Sequence, residues 1–175
     1  MKLFGIAGYS GSGKTSLIEN ILPLLTAQGL RVSVLKHTHH DFDIDRPGKD
    51  SYRHRQAGAH EVLLASSARW VLLKELRSAA EPTLSDYVER FAPCDLVLVE
   101  GFKKEAIARL EVHRPATGQP PLWPDDPQIV AVASDRPPPD NLRPGVAWLD
   151  VNDAPAIARY ILARATPLAV AGAID

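Results

Sequence analysis

The strongest restriction on the fold comes from residues 8–15, which read GYSGSGKT. This octapeptide matches the phosphate-binding pattern G-x-x-x-x-G-K-[ST] in full. It follows an apolar run at 3–7 and precedes a stretch with helical periodicity at 14–28, which is the context that the motif requires. The sequence therefore predicts a strand, a phosphate-binding loop and a helix in succession.

The residue types of this loop suit the binding of a triphosphate. Gly8 and Gly13 let the backbone curl so that its N–H groups point at phosphate oxygens, and the start of the helix adds its positive dipole. Lys14 is predicted to reach the β and γ phosphates, and Thr15 to hold Mg²⁺ through its hydroxyl. Further contacts to the phosphates are expected from three neighbours, Ser10, Gly11 and Ser12.

The order of the remaining elements predicts an α/β protein with the P-loop NTPase fold. A strand at 31–35 after the first helix completes a βαβ unit, which implies a parallel sheet. Further strands are predicted at 95–99, 110–113, 129–133 and 147–149, and further helices at 51–57, 84–91 and 154–163. We therefore expect a central, mostly parallel sheet flanked by helices. Two runs at 62–65 and 69–74 predict an antiparallel hairpin, inserted into the sheet or added to its edge.

Length and charge narrow the function classes. The chain has 175 residues, which suits a single domain, predicted at 1–165 with a flexible C-terminal tail at 166–175. The formal net charge of -1 gives no electrostatic case for nucleic acid or a membrane surface. The first residues do not form a signal peptide, and no apolar run is long enough to span a membrane. We expect a cytoplasmic location.

Two acidic residues are candidates for the metal shell of the nucleotide. Glu100 ends the apolar run 95–99, at the edge where open α/β sheets bind their ligands. Asp41 lies in the polar segment that follows the second predicted strand, and it is a candidate contact for Mg²⁺ or water. Lys14, Glu100 and Asp41 are thus the candidate catalytic residues, and Thr15, Glu100 and Asp41 the candidate Mg²⁺ ligands.

The segment 36–50 reads KHTHHDFDIDRPGKD and leaves several interpretations open. It is compatible with a mobile loop that senses the γ phosphate, with a divalent-metal site, or with a polar surface loop. The candidate metal ligands in it are His37, His39, His40, Asp41, Asp43 and Asp45. The basic residues that follow, Lys49, Arg53 and Arg55, are candidates for binding an anionic second substrate, and a solvated helix face is the alternative.

Asp135 is the candidate base-reading residue. It follows the predicted strand 129–133 in the run IVAVASD. A carboxylate at this point of a GTPase accepts hydrogen bonds from the guanine N1–H and amine. The asparagine and lysine that precede this aspartate in the full GTPase signature are absent, so an ordinary loop aspartate is the alternative.

Taken together, these segments resemble the molybdopterin-guanine dinucleotide biosynthesis protein B (MobB) family. The resemblance is carried by GYSGSGKTSLIENILPLL, KHTHHDFDIDRPGKDSYRHRQAGA, DLVLVEGFKKEAIARLEVHR, IVAVASD and LDVNDAPAIARYI, which cover most of the chain. It implies a homodimer that binds GTP with Mg²⁺ and hydrolyses it slowly at most. It also implies an adapter for the partner molybdopterin guanylyltransferase, which attaches GMP to molybdopterin, with molybdopterin itself as a further candidate ligand. Ser16 joins the nucleotide contacts on this ground.

Two other functions remain open from the residues. A P-loop kinase for a small metabolite needs arginines to enclose the transfer, and Arg53 and Arg55 are the candidates. A GTPase that delivers metal would use His37, His39 and His40. No arginine finger is identifiable in the sequence, so intrinsic hydrolysis is expected to be slow.

Overall fold

The computed structural model describes residues 1–38 and 42–168. Its strands are β1 (Lys2–Ala7), β2 (Val32–Lys36), β3 (Glu61–Ala65), β4 (Trp70–Lys74), β5 (Leu96–Glu100), β6 (Arg109–His113), β7 (Ile129–Ser134), β8 (Ala147–Asp150) and β9 (Thr166–Pro167). Its α-helices are α1 (Lys14–Thr26), α2 (Asp50–Gln56), α3 (Leu84–Val88) and α4 (Ala154–Arg164). The chain forms two compact units, one from Met1–His37 and the chain from Leu84 onward, the other Thr38–Thr83.

The first unit is built on a parallel sheet with the strand order β2-β5-β1-β6-β7-β8. Along the chain, β1 is followed by β2 and β5 on one side and by β6, β7 and β8 on the other. The order therefore reverses at β1, and open α/β sheets bind ligands at such a point, beyond the carboxyl ends of the strands. The predicted fold class, an α/β protein with a central, mostly parallel sheet, is confirmed.

Helices α1 and α4 cover one face of this sheet. Leu17, Ile18, Ile21 and Leu25 of α1 are buried at helical spacing, and they join the cluster that contains Phe4 of β1. Burying a side chain of this size contributes about 1.5–3 kcal/mol. This packing fixes α1 behind β1, so that the connection between them lies at the carboxyl edge of the sheet.

A short antiparallel strand completes the edge of β1. Thr166 and Pro167 pair with Leu3 and Lys2, below the point where the pairing of β1 with β6 begins at Gly5. The sheet thus extends two residues into the segment predicted as a tail, because this half of the β1 edge offers unpaired backbone groups. Residues 169–175 of that segment lie outside the described residues.

The second unit contains α2 and the hairpin β3–β4. Glu61 pairs with Lys74 and Ala65 with Trp70 in an antiparallel register, which confirms the predicted hairpin. The expectation that it is inserted into the sheet or added to its edge is wrong, because β3 and β4 form a two-stranded sheet of their own. Among the described residues, no helix combines the length and apolarity needed to cross a membrane.

Candidate functional site

The predicted phosphate loop connects β1 to α1. Leu17 N donates to Gly13 O at 2.9 Å, which begins the helix directly after the loop. Within the loop, Ser12 N donates to Tyr9 O at 3.2 Å, and Lys14 Nζ donates to the same carbonyl at 2.9 Å. The lysine therefore folds back over the loop, with its ammonium against the loop backbone.

Gly8 is the tightest point of this loop. Its φ of +137° is rare for residues with a side chain, and an added Cβ would lie 2.6 Å from Val112 O and 2.7 Å from Ser12 Oγ. Ser12 is only 2% exposed, and its Oγ has no hydrogen-bond partner among the described residues. The loop thus packs directly on β6, while Ser10, Thr15 and Ser16 remain exposed to a ligand.

Glu100 lies beside the loop because β5 is the neighbour of β1. The register pairs Glu100 with Ile6 on one side and with Lys36 of β2 on the other. Its carboxylate is 3.9 Å from Lys14 Nζ and 3.5 Å from Lys36 Nζ, and the residue is 9% exposed. The structure therefore brings together two of the residues that the sequence nominates, Lys14 and Glu100.

The donor set at this point fits Mg²⁺. Glu100 offers a carboxylate held at the carboxyl edge of the sheet, and Thr15 offers an exposed hydroxyl at the start of α1. Hard oxygen ligands of this kind, completed by phosphate oxygens and water, are what Mg²⁺ prefers. Thr15 and Glu100 would hold the ion, which would neutralise charge on the phosphates.

Several ammonium groups make the loop attractive to a polyanion. Burial lowers the pKa of Lys14, and the charges of Lys36 and Lys103 lower it further, while Glu100 opposes them. Lys103 also lies over the Tyr9 ring, 5.9 Å from its centroid. Because like charges gathered in one place raise each other's free energy, an anion bound among them is strongly favoured.

Asp135 follows β7 and is joined to the loop through Arg114. Arg114 Nη1 is 3.1 Å from Asp135 Oδ2, and Arg114 Nε donates to Ser12 O at 3.2 Å. Strands β1, β6 and β7 are adjacent and parallel, so Asp135 lies beyond the same carboxyl edge of the sheet as the loop. The structure thus connects the candidate base-reading residue to the candidate phosphate-binding residues.

Sequence reasoning missed three cations at this edge. Lys36 ends β2, Lys103 follows β5, and Arg114 follows β6. Their common signal is a basic residue at the carboxyl end of a predicted parallel strand. The carboxyl end of a parallel strand is the position that makes Glu100 and Asp135 candidate site residues, and it makes these three cations candidates for the same reason.

The second unit uses its acidic residues internally. The guanidinium of Arg55 contacts three carboxylates, Asp43 at 3.0 Å, Asp45 at 3.3 Å and Glu75. These contacts raise the pKa of Arg55, the largest cause being the hydrogen bond to Glu75. Arg55 is thereby committed to its own unit, which removes the expectation that it binds an anionic second substrate. The same contacts weigh against Asp43 and Asp45 as metal ligands.

Other predicted site residues of this segment remain predictions. His39, His40 and Asp41 lie outside the described residues. Arg53 pairs with Asp50 at 3.8 Å on an exposed helix face, which fits the solvated alternative. Among the described residues, no three His, Cys, Asp or Glu side chains converge as a metal site would require.

A cavity of about 570 Å³ adjoins the loop at Tyr9. Its walls include Lys103, Lys104, Asp125 and Gln128. Arg109 holds the walls together, since its guanidinium donates to the carbonyls of Lys103 and Glu105 and pairs with Asp126 at 3.1 Å. A cavity of this volume is large enough for a small organic ligand.

Comparison with known proteins finds similarity to proteins of molybdopterin-guanine dinucleotide biosynthesis. Residues 3–135 match the family described as molybdopterin guanine dinucleotide synthesis protein B. The chain is 42% identical over 163 residues to the molybdopterin-guanine dinucleotide biosynthesis adapter protein of Escherichia coli, covering 91% of each chain. It is 43% identical to the protein of the same name from Haemophilus influenzae, covering 91% of this chain and 86% of that one. A crystal structure of molybdopterin-guanine biosynthesis protein B matches with a TM-score of 0.70 at 28% identity, covering 92% and 98%.

Proposed function

Because this chain belongs to the molybdopterin guanine dinucleotide synthesis protein B family, we propose that it binds GTP and acts as an adapter in the conversion of molybdopterin to its guanine dinucleotide. The observation that carries the nucleotide part is the meeting of Lys14, Glu100 and the loop at the carboxyl edge of β1 and β5. The names of the relatives from Escherichia coli and Haemophilus influenzae support the adapter part.

The proposed site divides the nucleotide among three groups of residues. The backbone of the loop, including Ser12, and Lys14 bind the β and γ phosphates, and Ser10 and Ser16 add hydroxyls. Mg²⁺ is held by Thr15 and Glu100 together with the phosphates, and Asp41 is proposed as a further contact to metal or water. Asp135 reads the guanine edge. Hydrolysis, where it occurs, is proposed to be slow.

Calorimetric titration of GTP and ATP in Mg²⁺ tests this assignment. We expect the wild type to bind GTP more tightly than ATP, and Asp135→Asn to remove most of that preference. Lys14→Ala should weaken both nucleotides by about 10- to 150-fold, the effect of losing hydrogen bonds worth about 1.5–3 kcal/mol to charged phosphates. Equal or tighter binding of ATP by the wild type would refute the guanine assignment and favour a kinase.

The kinase and metal-delivery alternatives have less support. Of the two candidate arginines for enclosing a phosphoryl transfer, Arg55 is bound by three carboxylates of its own unit and Arg53 pairs with Asp50. Two of the candidate metal ligands, Asp43 and Asp45, are among those carboxylates. Transfer of the γ phosphate to an added small alcohol would support the kinase alternative. Zinc or nickel at one equivalent per chain after purification would support the metal-delivery alternative.

We place the second ligand of the pathway in the cavity beside Tyr9. A pterin that carries a phosphate would present its anion to Lys103 and Lys104, and its N–H edge to Asp125. Binding measured by pterin fluorescence should weaken at least tenfold in the double variant Lys103→Ala/Lys104→Ala. Unchanged affinity would exclude this cavity as the pterin site.

We propose a homodimer formed through one face of the hairpin. Leu63 pairs with Leu72 across β3 and β4, so both point to the face that carries Trp70, and these side chains are 60%, 42% and 68% exposed. Exposed apolar faces of this kind mark interaction surfaces. Trp70→Ser should shift the mass measured by sedimentation towards the monomer, whereas Leu64→Ser, on the other face, should not. A monomeric wild type would refute the proposal.

The proposed partner is the cytoplasmic guanylyltransferase that attaches GMP to molybdopterin. GTP-loaded protein should retain this enzyme on an affinity column. Lys14→Ala protein should retain less of it. Equal retention by both would show that the interaction is independent of the nucleotide, and recovery of the protein in a membrane fraction would contradict the location.

A further inference from the structure

Arg114 touches both ends of the candidate nucleotide site. Its Nε donates to the carbonyl of Ser12 in the phosphate loop, at 3.2 Å. Its Nη1 donates to Asp135 Oδ2 at 3.1 Å. The side chain also lies against the loop at Gly13, where an added Cβ would lie 3.4 Å from Nε. One rigid guanidinium therefore contacts both parts of the site, the phosphate loop at Ser12 and the base-reading candidate Asp135.

The pairing with Arg114 leaves Asp135 able to accept from a base. An ionised carboxylate has about four lone-pair sites, and a guanine edge needs one on each oxygen for its N1–H and its amine. Arg114 donates to one oxygen, and that oxygen can accept a second hydrogen bond. The hydrogen bond from the arginine also limits the rotation of the carboxylate.

We infer that Arg114 is a positioning residue that couples base recognition at Asp135 to the conformation of the phosphate loop. This inference rests on the proposed GTP site. The arginine supplies the fixed connection between base-reading and phosphate-binding segments that the sequence around Asp135 lacks, since neither asparagine nor lysine precedes that aspartate in the run IVAVASD. A base that donates hydrogen bonds to Asp135 therefore affects the guanidinium that also donates a hydrogen bond to Ser12 O.

The geometry of the guanidinium matters for this role. Nε and Nη1 lie at fixed positions in one plane, so contact with Asp135 determines where the donor to Ser12 points. A lysine at this position carries the same charge on a single nitrogen, with no planar fork to join the two acceptors. Arg114→Lys therefore keeps the charge and removes the connection.

The experiment compares three nucleotides by calorimetry in Mg²⁺. GTP carries the amine that Asp135 would accept from, ITP lacks that amine, and ATP lacks the N1–H as well. The proteins are wild type, Arg114→Lys, Asp135→Asn and the double variant. Arg136→Lys, with the same substitution next to Asp135, is the control. Circular dichroism verifies that each is folded.

We expect Arg114→Lys to reduce the ratio of GTP to ITP affinity by about tenfold, the size expected for a misplaced hydrogen bond to a charged group. Asp135→Asn should reduce the ratio of GTP to ITP affinity at least as much. The double variant should reduce the ratio no further than Asp135→Asn alone, because both substitutions disrupt the same contact. Arg136→Lys should leave the ratio unchanged. Arg114→Lys should also weaken ATP binding through the loop.

Three results would overturn the inference. If Arg114→Lys weakened the binding of GTP, ITP and ATP equally, Arg114 would only stabilise the loop and would have no role in base recognition. An unchanged GTP to ITP ratio in Arg114→Lys, with the ratio lost in Asp135→Asn, would refute the coupling while the proposed GTP site stands. A wild type that does not distinguish GTP from ITP and ATP would refute both the guanine assignment and the inference.

Discussion

Replacing Gly8 by alanine places a methyl group where the phosphate loop meets β6. The added Cβ would lie 2.6 Å from Val112 O, a backbone atom of a buried strand, and 2.7 Å from the buried Ser12 Oγ. Val112 O is a backbone atom that cannot rotate away, so the loop itself must move. The φ of +137° adds backbone strain of about 1–3 kcal/mol.

Gly11→Ala is the matched control, because Gly11 belongs to the same loop and also has a positive φ, at +79°. An added Cβ there meets no atom within 4 Å, so its effect is limited to the backbone, about 1–2 kcal/mol. Overpacking costs roughly another 1–3 kcal/mol at Gly8 alone. For a chain of this length, 1 kcal/mol shifts the melting temperature by about 2–4 °C.

Thermal unfolding by circular dichroism, with calorimetry of GTP binding, measures the difference. We expect Gly8→Ala to melt about 2–12 °C below Gly11→Ala and to bind GTP more weakly. Equal melting temperatures would mean that the contact with Val112 O relaxes without loss. A lower melting temperature for Gly11→Ala would refute the argument that packing against β6 distinguishes the two glycines.

Three further predictions follow from buried or paired carboxyl groups. Burial raises the pKa of Glu111 above its ordinary value of 4.5, so the free energy of unfolding should fall as the pH rises above that value. In urea titrations at several pH values, Glu111→Gln should reduce this dependence on pH. An unchanged pH dependence in the variant would contradict the prediction. Arg55→Ala removes the cation that joins Asp43, Asp45 and Glu75, so amide hydrogen exchange should accelerate at 43–56, whereas Arg53→Ala should not change it. Glu100→Gln should weaken GTP binding more in Mg²⁺ than in EDTA, and an equal effect in both would exclude Glu100 from the metal shell.

The fold was predictable from sequence because its strands have strong local signals. The apolar run before Glu100 is buried in the middle of the sheet, and the loop before α1 carries a complete motif. The placement of the hairpin was not predictable, because alternation along 61–74 specifies the pairing of β3 with β4 and not the sheet that they join. The helix predicted at 84–91 is shorter in the structure, where α3 ends at Val88.

The candidate site was predictable at Lys14 and Glu100 for a similar reason. Lys14 belongs to a complete sequence motif, and Glu100 stands at the end of a strand that the sequence predicts to be buried. Arg114 has the second signal, since it directly follows the buried strand β6, but its two contacts depend on the adjacency of β6 to both β1 and β7. Arg55 illustrates the opposite case, because its basic side chain makes it a candidate from sequence, whereas only the structure shows the three carboxylates that it contacts.

We expect the described cations at the phosphate loop to favour the binding of a nucleotide over its hydrolysis. An arginine that reaches the transferred phosphoryl group contributes roughly 10³ to 10⁵ in rate. The donors of Arg114 serve Ser12 O and Asp135, and the charge near Lys14 comes from lysines, Lys36 and Lys103. Lysines that contact phosphates equally in the ground state and the transition state increase affinity without increasing the rate. This composition fits the proposal that GTP is hydrolysed slowly.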